Sequence, residues 1–302
     1  MIVTELAKTG VFIPEVGIGT WNYQAGPGPL RKGLEAGAVF IDTAESYGTE
    51  TVVGEAVRGM RDRVFIATKV SPQNFQRVDL RRSVDTSLRK MGIDIIDLLQ
   101  LHEPNSFIPI EETMGVLTEL VDAGKIRFVG VSNFSVEQLK EAQKTLKKYP
   151  IVSNQVRYNL IDRTIEKDLL PYCRTNCVTV IAYCPLARGL NRIRDCDPTG
   201  VIDELARMTG KSPAQIVINW CVCKDGVVAI PKGNSTEHIL DNCRASDWRL
   251  SPDQLALLDA RIEYRRRSRF DILVRRWIPG SLQSLAVHTL NTLPKTVRRR
   301  LR

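Results

Sequence analysis

The 302-residue chain has few of the residues and segments that mark metalloproteins and membrane proteins. Its three histidines, His102, His238 and His288, are far apart, and its cysteines lack a second ligand pair at zinc-binding spacing, so no metal site is expected. No uncharged apolar run approaches the ~18 residues that span a bilayer, and no basic segment followed by an apolar one opens the chain. We therefore expect a soluble, cytoplasmic protein without a bound metal.

The cysteines also lack the pattern of a disulfide framework. They are an odd set of seven, lie in the second half of the chain and show no paired spacing, which predicts reduced thiols. The seven are Cys173, Cys177, Cys184, Cys196, Cys221, Cys223 and Cys243. Hydrophobic residues make up 43% of the chain and charged residues 25%, which is typical of a globular protein with a sizeable core and excludes a disordered one.

Acidic residues are scarce at the carboxyl end. Residues 261–302 contain twelve Lys and Arg against two Asp and Glu, so the formal net charge of +9 comes from this segment. We divide the chain into a main domain over residues 1–264 and a basic tail over residues 265–302. We expect the tail to fold on the domain with solvated arginines; a weak contact with an anionic membrane surface is the second interpretation, and nucleic acid or another acidic partner is the third.

Eight short runs of apolar or β-branched residues predict strands. They begin at Val16, Val39, Val64, Ile95, Ile126, Val152, Val178 and Val227. Segments with helical periodicity alternate with them, and parallel strands joined by helices predict an α/β fold, a closed (β/α)8 TIM barrel. An open doubly wound sheet is the alternative, but GIGTWN at the first run lacks the G-x-G-x-x-G spacing typical of it. Residues 6–17 predict a small hairpin before the barrel, and residues 202–209 and 214–223 predict two helices between the last two strands.

Reactive side chains stand where these runs end, which is the functional face of such a barrel. The set consists of Asp42, Tyr47, Lys69, His102, Ser132, Asn133, Gln155, Tyr183 and Lys232. A single polar residue at a strand end is commonly structural, but the convergence of so many on one face predicts a catalytic site.

Four of these residues have side chains suited to proton transfer. A phenol has a pKa near ~10 and a neighbouring ammonium lowers it, so Tyr47 beside Lys69 is a candidate general acid. A buried Lys69 needs a counter-charge, which Asp42 on the adjacent strand supplies. His102 would donate a hydrogen bond to a substrate oxygen. Since no side chain is a source of hydride, the set implies a nicotinamide or flavin cofactor.

Longer motifs surround these residues in a fixed order. They are DTAESYG from Asp42, ATK ending at Lys69, LLQLHEP around His102, GKIRFVGVSNFS from Gly124, NQVRYN from Asn154, AYCPLARG from Ala182 and IPKGNSTEHILDN from Ile230. With these motifs the chain resembles the aldo-keto reductases from about residue 5 to residue 260. The resemblance implies a monomeric (β/α)8 barrel that binds NADPH at its mouth and reduces small-molecule aldehydes or ketones without metal or flavin.

The resemblance also implies a role for each matching position. Tyr47 is the general acid, with Asp42 and Lys69 lowering its pKa, and His102 orients the substrate carbonyl beside Trp21. The expected cofactor-binding residues are Ser132, Asn133 and Gln155 at the nicotinamide carboxamide, Tyr183 stacked on its ring, Leu186 and Arg188 near the pyrophosphate, Lys232, Asn234, Ser235 and His238 on the 2′-phosphate side, and Asp241 and Asn242 near the adenine.

Two questions of function stay open in the sequence. His238 stands where many family members have Arg, and a neutral imidazole holds a phosphate less well, so NADPH is the first expected cofactor and NADH the second. The competing function is a regulatory or redox-sensing barrel that binds the nucleotide with little turnover, although a complete proton-transfer set favours an enzyme. An isomerase or aldolase with Lys69 as Schiff base is disfavoured because Asp42 raises the pKa of that lysine.

Overall fold

Eight parallel strands form one sheet in the described part of the chain, and their spatial order follows their order in the sequence. The computed structural model describes residues 1–264, and the predicted tail over residues 265–302 lies outside the described residues. Two hairpin strands, β1 Val3–Glu5 and β2 Phe12–Pro14, come first in the chain. The sheet then consists of β3 Ile18–Gly19, β4 Phe40–Asp42, β5 Phe65–Val70, β6 Ile96–Leu101, β7 Ile126–Ser132, β8 Ile151–Arg157, β9 Thr179–Tyr183 and β10 Val227–Ile230. Seven of the eight predicted runs contain one of these strands, and the run from Val152 begins one residue after the start of β8.

The two ends of the sheet meet and close it. Val16 bridges Ala229 in parallel, and the backbone N–H of Gly17 donates to the Ala229 carbonyl at 2.9 Å. A side chain at Gly19 would place its Cβ 2.6 Å from the carbonyl oxygen of Ile230, so this close approach requires glycine. The predicted (β/α)8 barrel is confirmed, and the open doubly wound sheet is wrong.

Helices connect the strands on the outside of the barrel. They are α1 Pro27–Glu35, α2 Glu50–Val57, α3 Arg77–Met91, α4 Ile110–Asp122, α5 Val136–Thr145, α6 Leu169–Thr175, α7 Leu190–Arg194, α8 Val201–Thr209, α9 Pro213–Val222, α10 Thr236–Cys243 and α11 Pro252–Arg261. α8 and α9 confirm the two predicted helices before the last strand. The short α7, which precedes them, has too few turns to show a readable period.

The hairpin at the amino end is formed by β1 Val3–Glu5 and β2 Phe12–Pro14, which pair antiparallel. It begins three residues earlier than the predicted segment, which starts at Leu6. Leu6 and Ile13 are fully buried in the same apolar cluster as Phe40, which lies inside the barrel. The hairpin therefore closes the amino end of the barrel and leaves the carboxyl ends of the strands for the site.

Two sequence predictions about covalent and membrane structure can be compared with the described residues. All seven cysteines are free thiols, as predicted. Between residues 1 and 264, no helix combines the length and the apolar character needed to cross a bilayer.

Candidate active site

A buried ion pair lies at the carboxyl ends of β4 and β5. The Lys69 ammonium donates to Asp42 Oδ1 at 2.6 Å and to the carbonyl of Thr43 at 2.8 Å. Lys69 is 0% exposed and Asp42 2% exposed. Burial lowers the pKa of Lys69, and the adjacent Asp42 carboxylate acts against this shift. The structure thus brings together the lysine and counter-charge that the sequence predicts.

Two glutamine side chains complete the surroundings of this pair. Gln100 Nε2 donates to Asp42 Oδ2 at 3.1 Å, and Gln155 Nε2 donates to the same oxygen at 2.8 Å. A longer contact of 3.3 Å joins Gln155 Nε2 to Gln100 Oε1. Two amide donors stabilise the ionised form of a carboxylate that has almost no access to water.

Gln100 is a site residue that the sequence motifs do not reveal. A signal for it existed, because Gln100 is a polar residue within the apolar run IIDLLQLH. It precedes His102 by two positions, so strand alternation points both side chains to the same face.

Gln155 differs in part from its expected role. It was predicted to contact a nicotinamide carboxamide, but its amide nitrogen faces Asp42 and Gln100. With the donor group engaged there, its Oε1 atom is the end that can meet a ligand. Gln155 therefore contacts the proton-transfer residues directly, and its contact with a carboxamide stays a prediction.

Tyr47 lies above the ion pair on a single 3₁₀ turn, Glu45–Tyr47, that follows β4. The Glu45 carboxylate anchors this turn to the next loop by accepting from the Ser71 N–H at 2.6 Å and from Asn74 Nδ2 at 2.9 Å. The Lys69 ammonium lies 4.8 Å from the centre of the Tyr47 ring. The Tyr47 hydroxyl lies 3.5 Å from His102 Nε2, so these two polar atoms lie together at the mouth of the barrel.

The protonation states of these two groups follow from their burial. Desolvation raises the pKa of the Tyr47 phenol above its ordinary value, and the Asp42 carboxylate raises it further. Desolvation, with a smaller effect of Lys69, lowers the pKa of His102 to about 3. The predicted lowering of the Tyr47 pKa is therefore wrong for the protein without ligands, because burial and the Asp42 carboxylate outweigh the effect of the Lys69 ammonium. Both groups are uncharged at neutral pH, which suits a proton donor beside a neutral hydrogen-bond donor.

The neutral His102 gives a testable pH dependence. Because its folded-state pKa of about 3 lies below the ordinary value, we expect its imidazole NMR signals to stay at the neutral position from about pH 8 to about pH 5. The unfolded chain binds this proton and the folded chain does not, so His102 also makes folding less favourable as the pH falls below ~6.5. The imidazole signals of His102 are identified by their absence from the spectrum of the His102→Gln variant. An inflection near pH 6.5 in the assigned signals would contradict the neutral state.

Ser132, Asn133 and Tyr183 form a second group at the ends of β7 and β9. Asn133 has a left-handed backbone with φ of 62°, and its Nδ2 donates to Ser132 Oγ at 3.1 Å and to the His102 carbonyl at 3.3 Å. The Tyr183 hydroxyl donates to Asn133 Oδ1 at 3.0 Å. This bond fixes one end of the Tyr183 ring beside the proton-transfer residues.

The loop after β9 crosses toward the loop after β3. Ala187 and Arg188 both have left-handed backbones, with φ of 52° and 68°. The Arg188 guanidinium carbon lies 4.9 Å from the centre of the Trp21 ring, and Trp21 remains 46% exposed. Leu186 packs against the hydrophobic core and holds the base of the loop. The contact places Trp21, the predicted substrate-site residue, beside Arg188, which is predicted to lie near the pyrophosphate.

The loop after β10 leads from Lys232 into α10. Ser235 caps this helix, and its hydroxyl accepts from the backbone N–H of His238 at 3.2 Å. The side chain of Asn234 accepts from the backbone N–H of Gln24 at 3.4 Å, which joins this loop to the one after β3. Lys232 and the amino end of α10 thus present positive charge and N–H groups at one edge of the mouth.

Asp241 and Asn242 lie further along α10. The Asp241 carboxylate accepts from the Ser212 hydroxyl at 2.7 Å and from Gln215 Nε2 at 2.7 Å, which ties α10 to the start of α9. Asn242 is 6% exposed. The structure gives Asp241 a packing role that the sequence does not reveal, and the expected contacts of both residues with an adenine stay predictions.

The geometry of this mouth can be compared with known proteins. Residues 15–263 match the sequence model of the Aldo/keto reductase family. The chain belongs to this family. It is therefore an oxidoreductase of the aldo/keto reductase type, as the motifs predict.

Several proteins are similar to this chain over most of its length. The chain is 37% identical over 259 residues to methylglyoxal reductase YeaE of Escherichia coli, covering 82% of this chain and 91% of that protein. It is 33% identical over 276 residues to aldo-keto reductase YhdN of Bacillus subtilis, covering 75% of this chain and 82% of that protein. An aldo-keto reductase of Klebsiella pneumoniae, solved in complex with NADPH, superposes with a TM-score of 0.82 at 38% identity and covers 88% of this chain and 98% of that one.

The mouth of this aldo/keto reductase fits a dinucleotide. Arg188 and Lys232 lie at its edge, and within residues 1–264 neither forms an ion pair with a carboxylate. Unpaired cations beside a capped helix start suit phosphate groups. The inward-facing Ser132, Asn133 and Gln155 offer the hydroxyl and amide atoms that a carboxamide needs.

Proposed function

We propose that the protein reduces an aldehyde or ketone to an alcohol with NADPH, and that Tyr47 donates the proton. The convergence of the Tyr47 hydroxyl and His102 Nε2 above the buried Asp42–Lys69 pair carries this proposal. A carbonyl oxygen at that point meets two uncharged hydrogen-bond donors. The cofactor that bound the Klebsiella relative, NADPH, supports the choice of reductant.

The chain's own residues perform the proton half of the reaction. The neutral His102 donates its Nε2–H to the carbonyl oxygen and polarises the C=O bond, with the other ring nitrogen unprotonated. NADPH, when bound, supplies the hydride and its two electrons to the carbonyl carbon. As the C–H bond forms, Tyr47 transfers its O–H proton to the oxygen, which completes the alcohol and leaves a phenolate that solvent reprotonates.

Lys69 acts on the phenolate that this transfer creates. Its ammonium lies 4.8 Å from the Tyr47 ring centre, where it stabilises negative charge on the phenol oxygen in the transition state. Asp42, held by Gln100 and Gln155, keeps Lys69 in the charged form despite complete burial. This accounts for the polar side chains of Gln100 and Gln155 at the buried ion pair.

The proposed cofactor positions follow the family pattern. The geometry favours an arrangement in which Gln155 turns its Oε1 atom, and not its amide nitrogen, toward the cofactor. Ser132, Asn133 and the free Oε1 of Gln155 receive the carboxamide, and Tyr183 stacks on the nicotinamide ring. Leu186 and Arg188 lie at the pyrophosphate, while Lys232, Asn234, Ser235 and His238 receive the 2′-phosphate, with Asp241 and Asn242 near the adenine. Trp21 forms a wall of the substrate site.

Position 238 gives a direct test of the phosphate side. His238 is exposed in the first turn of α10, and an Arg there offers a bidentate fork to a 2′-phosphate. We expect His238→Arg to raise the ratio of kcat/KM with NADPH to kcat/KM with NADH by about tenfold. His238→Gln, which adds no charge, keeps the ratio near that of the wild type. An unchanged ratio in His238→Arg would show that this side chain does not face the 2′-phosphate.

Turnover is tested by NADPH oxidation with a panel of carbonyl compounds. Methylglyoxal comes first, because it is the substrate named for the Escherichia coli relative. Consumption of NADPH with formation of alcohol supports the proposed reductase. NADPH binding without turnover on any of these compounds would instead favour a nucleotide-binding regulatory barrel.

A further inference from the structure

Arg157 is a cation beside the ring that the proposed function assigns to the nicotinamide. It is the last residue of β8 and the register partner of Tyr183 in β9. Paired residues of neighbouring parallel strands point to the same face of the sheet. The Arg157 guanidinium carbon lies 5.9 Å from the centre of the Tyr183 ring, so both side chains face the mouth of the barrel together.

No neighbour neutralises this charge in the described part of the chain. Arg157 forms no ion pair within residues 1–264, and its Nε atom is buried without a hydrogen-bond partner there. Arg163, by contrast, also stacks on aromatic rings but pairs with the Asp259 carboxylate at 3.0 Å. A half-buried cation without a counter-charge acts on its surroundings with little screening.

The cofactor has different charges in its two redox states. Its reduced nicotinamide ring is neutral, and its oxidised ring carries one positive charge. A fixed cation near the ring disfavours the oxidised form and leaves the reduced form almost unaffected. The Asp42 carboxylate does not compensate for Arg157, because that carboxylate is already paired with Lys69 at 2.6 Å.

We propose that Arg157 makes the site bind NADPH more tightly than NADP⁺. This inference rests on the proposed stacking of the nicotinamide on Tyr183. It adds to the reaction a residue that sets the preferred redox state of the cofactor and touches neither the substrate nor the transferred proton.

The test compares dissociation constants of NADPH and NADP⁺ by isothermal titration calorimetry. We expect Arg157→Met to lower the ratio of the dissociation constant of NADP⁺ to that of NADPH about five-fold. This change corresponds to about 1 kcal/mol in the difference between the two binding free energies. Arg157→Gln, a second neutral variant, should give the same change. Arg157→Lys keeps the charge and should keep the ratio within about twofold of the wild type.

Two outcomes overturn the inference while leaving the proposed function intact. An unchanged ratio in both neutral variants shows that the charge of Arg157 does not reach the ring. Equal weakening of both cofactor forms shows that Arg157 instead contacts a group common to both, such as the pyrophosphate.

A separate variant distinguishes failure of the proposed function itself. Tyr183→Leu removes the ring on which the nicotinamide is proposed to stack. If it leaves both dissociation constants unchanged, the proposed stacking and the inference that rests on it are both wrong. If it weakens binding of NADPH, the stacking is supported, and the Arg157 variants then decide the inference.

Discussion

Replacing Tyr47 with Phe should lower kcat for carbonyl reduction by about a thousandfold and leave the dissociation constant of NADPH nearly unchanged. The substitution removes one hydroxyl, which is the proposed proton donor at 3.5 Å from His102 Nε2. It leaves the ring in place above the Lys69 ammonium. Because the phenol acts on the substrate oxygen in the transition state, its loss appears in the rate rather than in cofactor affinity.

Tyr149→Phe is a matched control for this variant. It removes a phenol hydroxyl that donates to the Asp122 carboxylate at 2.6 Å on an exposed surface, so kcat should stay at the wild-type value. Steady-state rates with saturating NADPH and calorimetric binding of the cofactor give both readouts. Parallel loss of rate and NADPH affinity in Tyr47→Phe would mean that Tyr47 serves cofactor binding and not proton transfer.

Replacing Lys69 with Met should lower the free energy of unfolding by about 3–5 kcal/mol. Met fills a volume similar to that of the lysine stem, so the main change is loss of the charge. Asp42, which is 2% exposed, would then be a buried carboxylate without a counter-charge. The two amide donors from Gln100 and Gln155 offset only part of this desolvation.

The double variant Asp42→Asn with Lys69→Met isolates the charge effect. Asn keeps an acceptor oxygen for the two glutamine amides but carries no charge, so the double variant should recover a large part of the lost stability. Urea unfolding of the wild type, both single variants and the double variant supplies the four free energies. A loss below about 1 kcal/mol in Lys69→Met, or a double variant less stable than that single variant, would contradict a buried ion pair.

The barrel could be predicted because each strand has a local sequence signal, a short apolar run. The runs around Asp42, Lys69 and His102 are apolar until a reactive side chain ends them, and that pattern depends only on burial and on strand direction. A closed sheet then places all these ends on one face. The pairing of Asp42 with Lys69 follows from charge alone, since neither is stable when buried singly.

Other parts of the site depend on the tertiary structure and leave weaker signals. Gln100 shows only as a polar residue in an apolar run, and its partner Asp42 is 58 positions away. The raised pKa of Tyr47 results from burial and the nearby Asp42 carboxylate, an effect of the tertiary structure that no sequence pattern reports. The contact of Arg188 with Trp21 joins two irregular loops, where backbone conformation follows no period.

The proposed reaction requires that hydride passes from NADPH to a carbonyl carbon in the site formed by Tyr47 and His102. The measurement uses NADPH that carries deuterium at both positions of the reactive carbon of the nicotinamide ring, with methylglyoxal as the carbonyl compound and mass spectrometry of the product. We predict an alcohol that carries one deuterium on the former carbonyl carbon, formed in step with cofactor oxidation and lost with Tyr47→Phe. An alcohol without the label, or deuterium released to water, would show that hydride does not pass directly from NADPH to the carbonyl carbon.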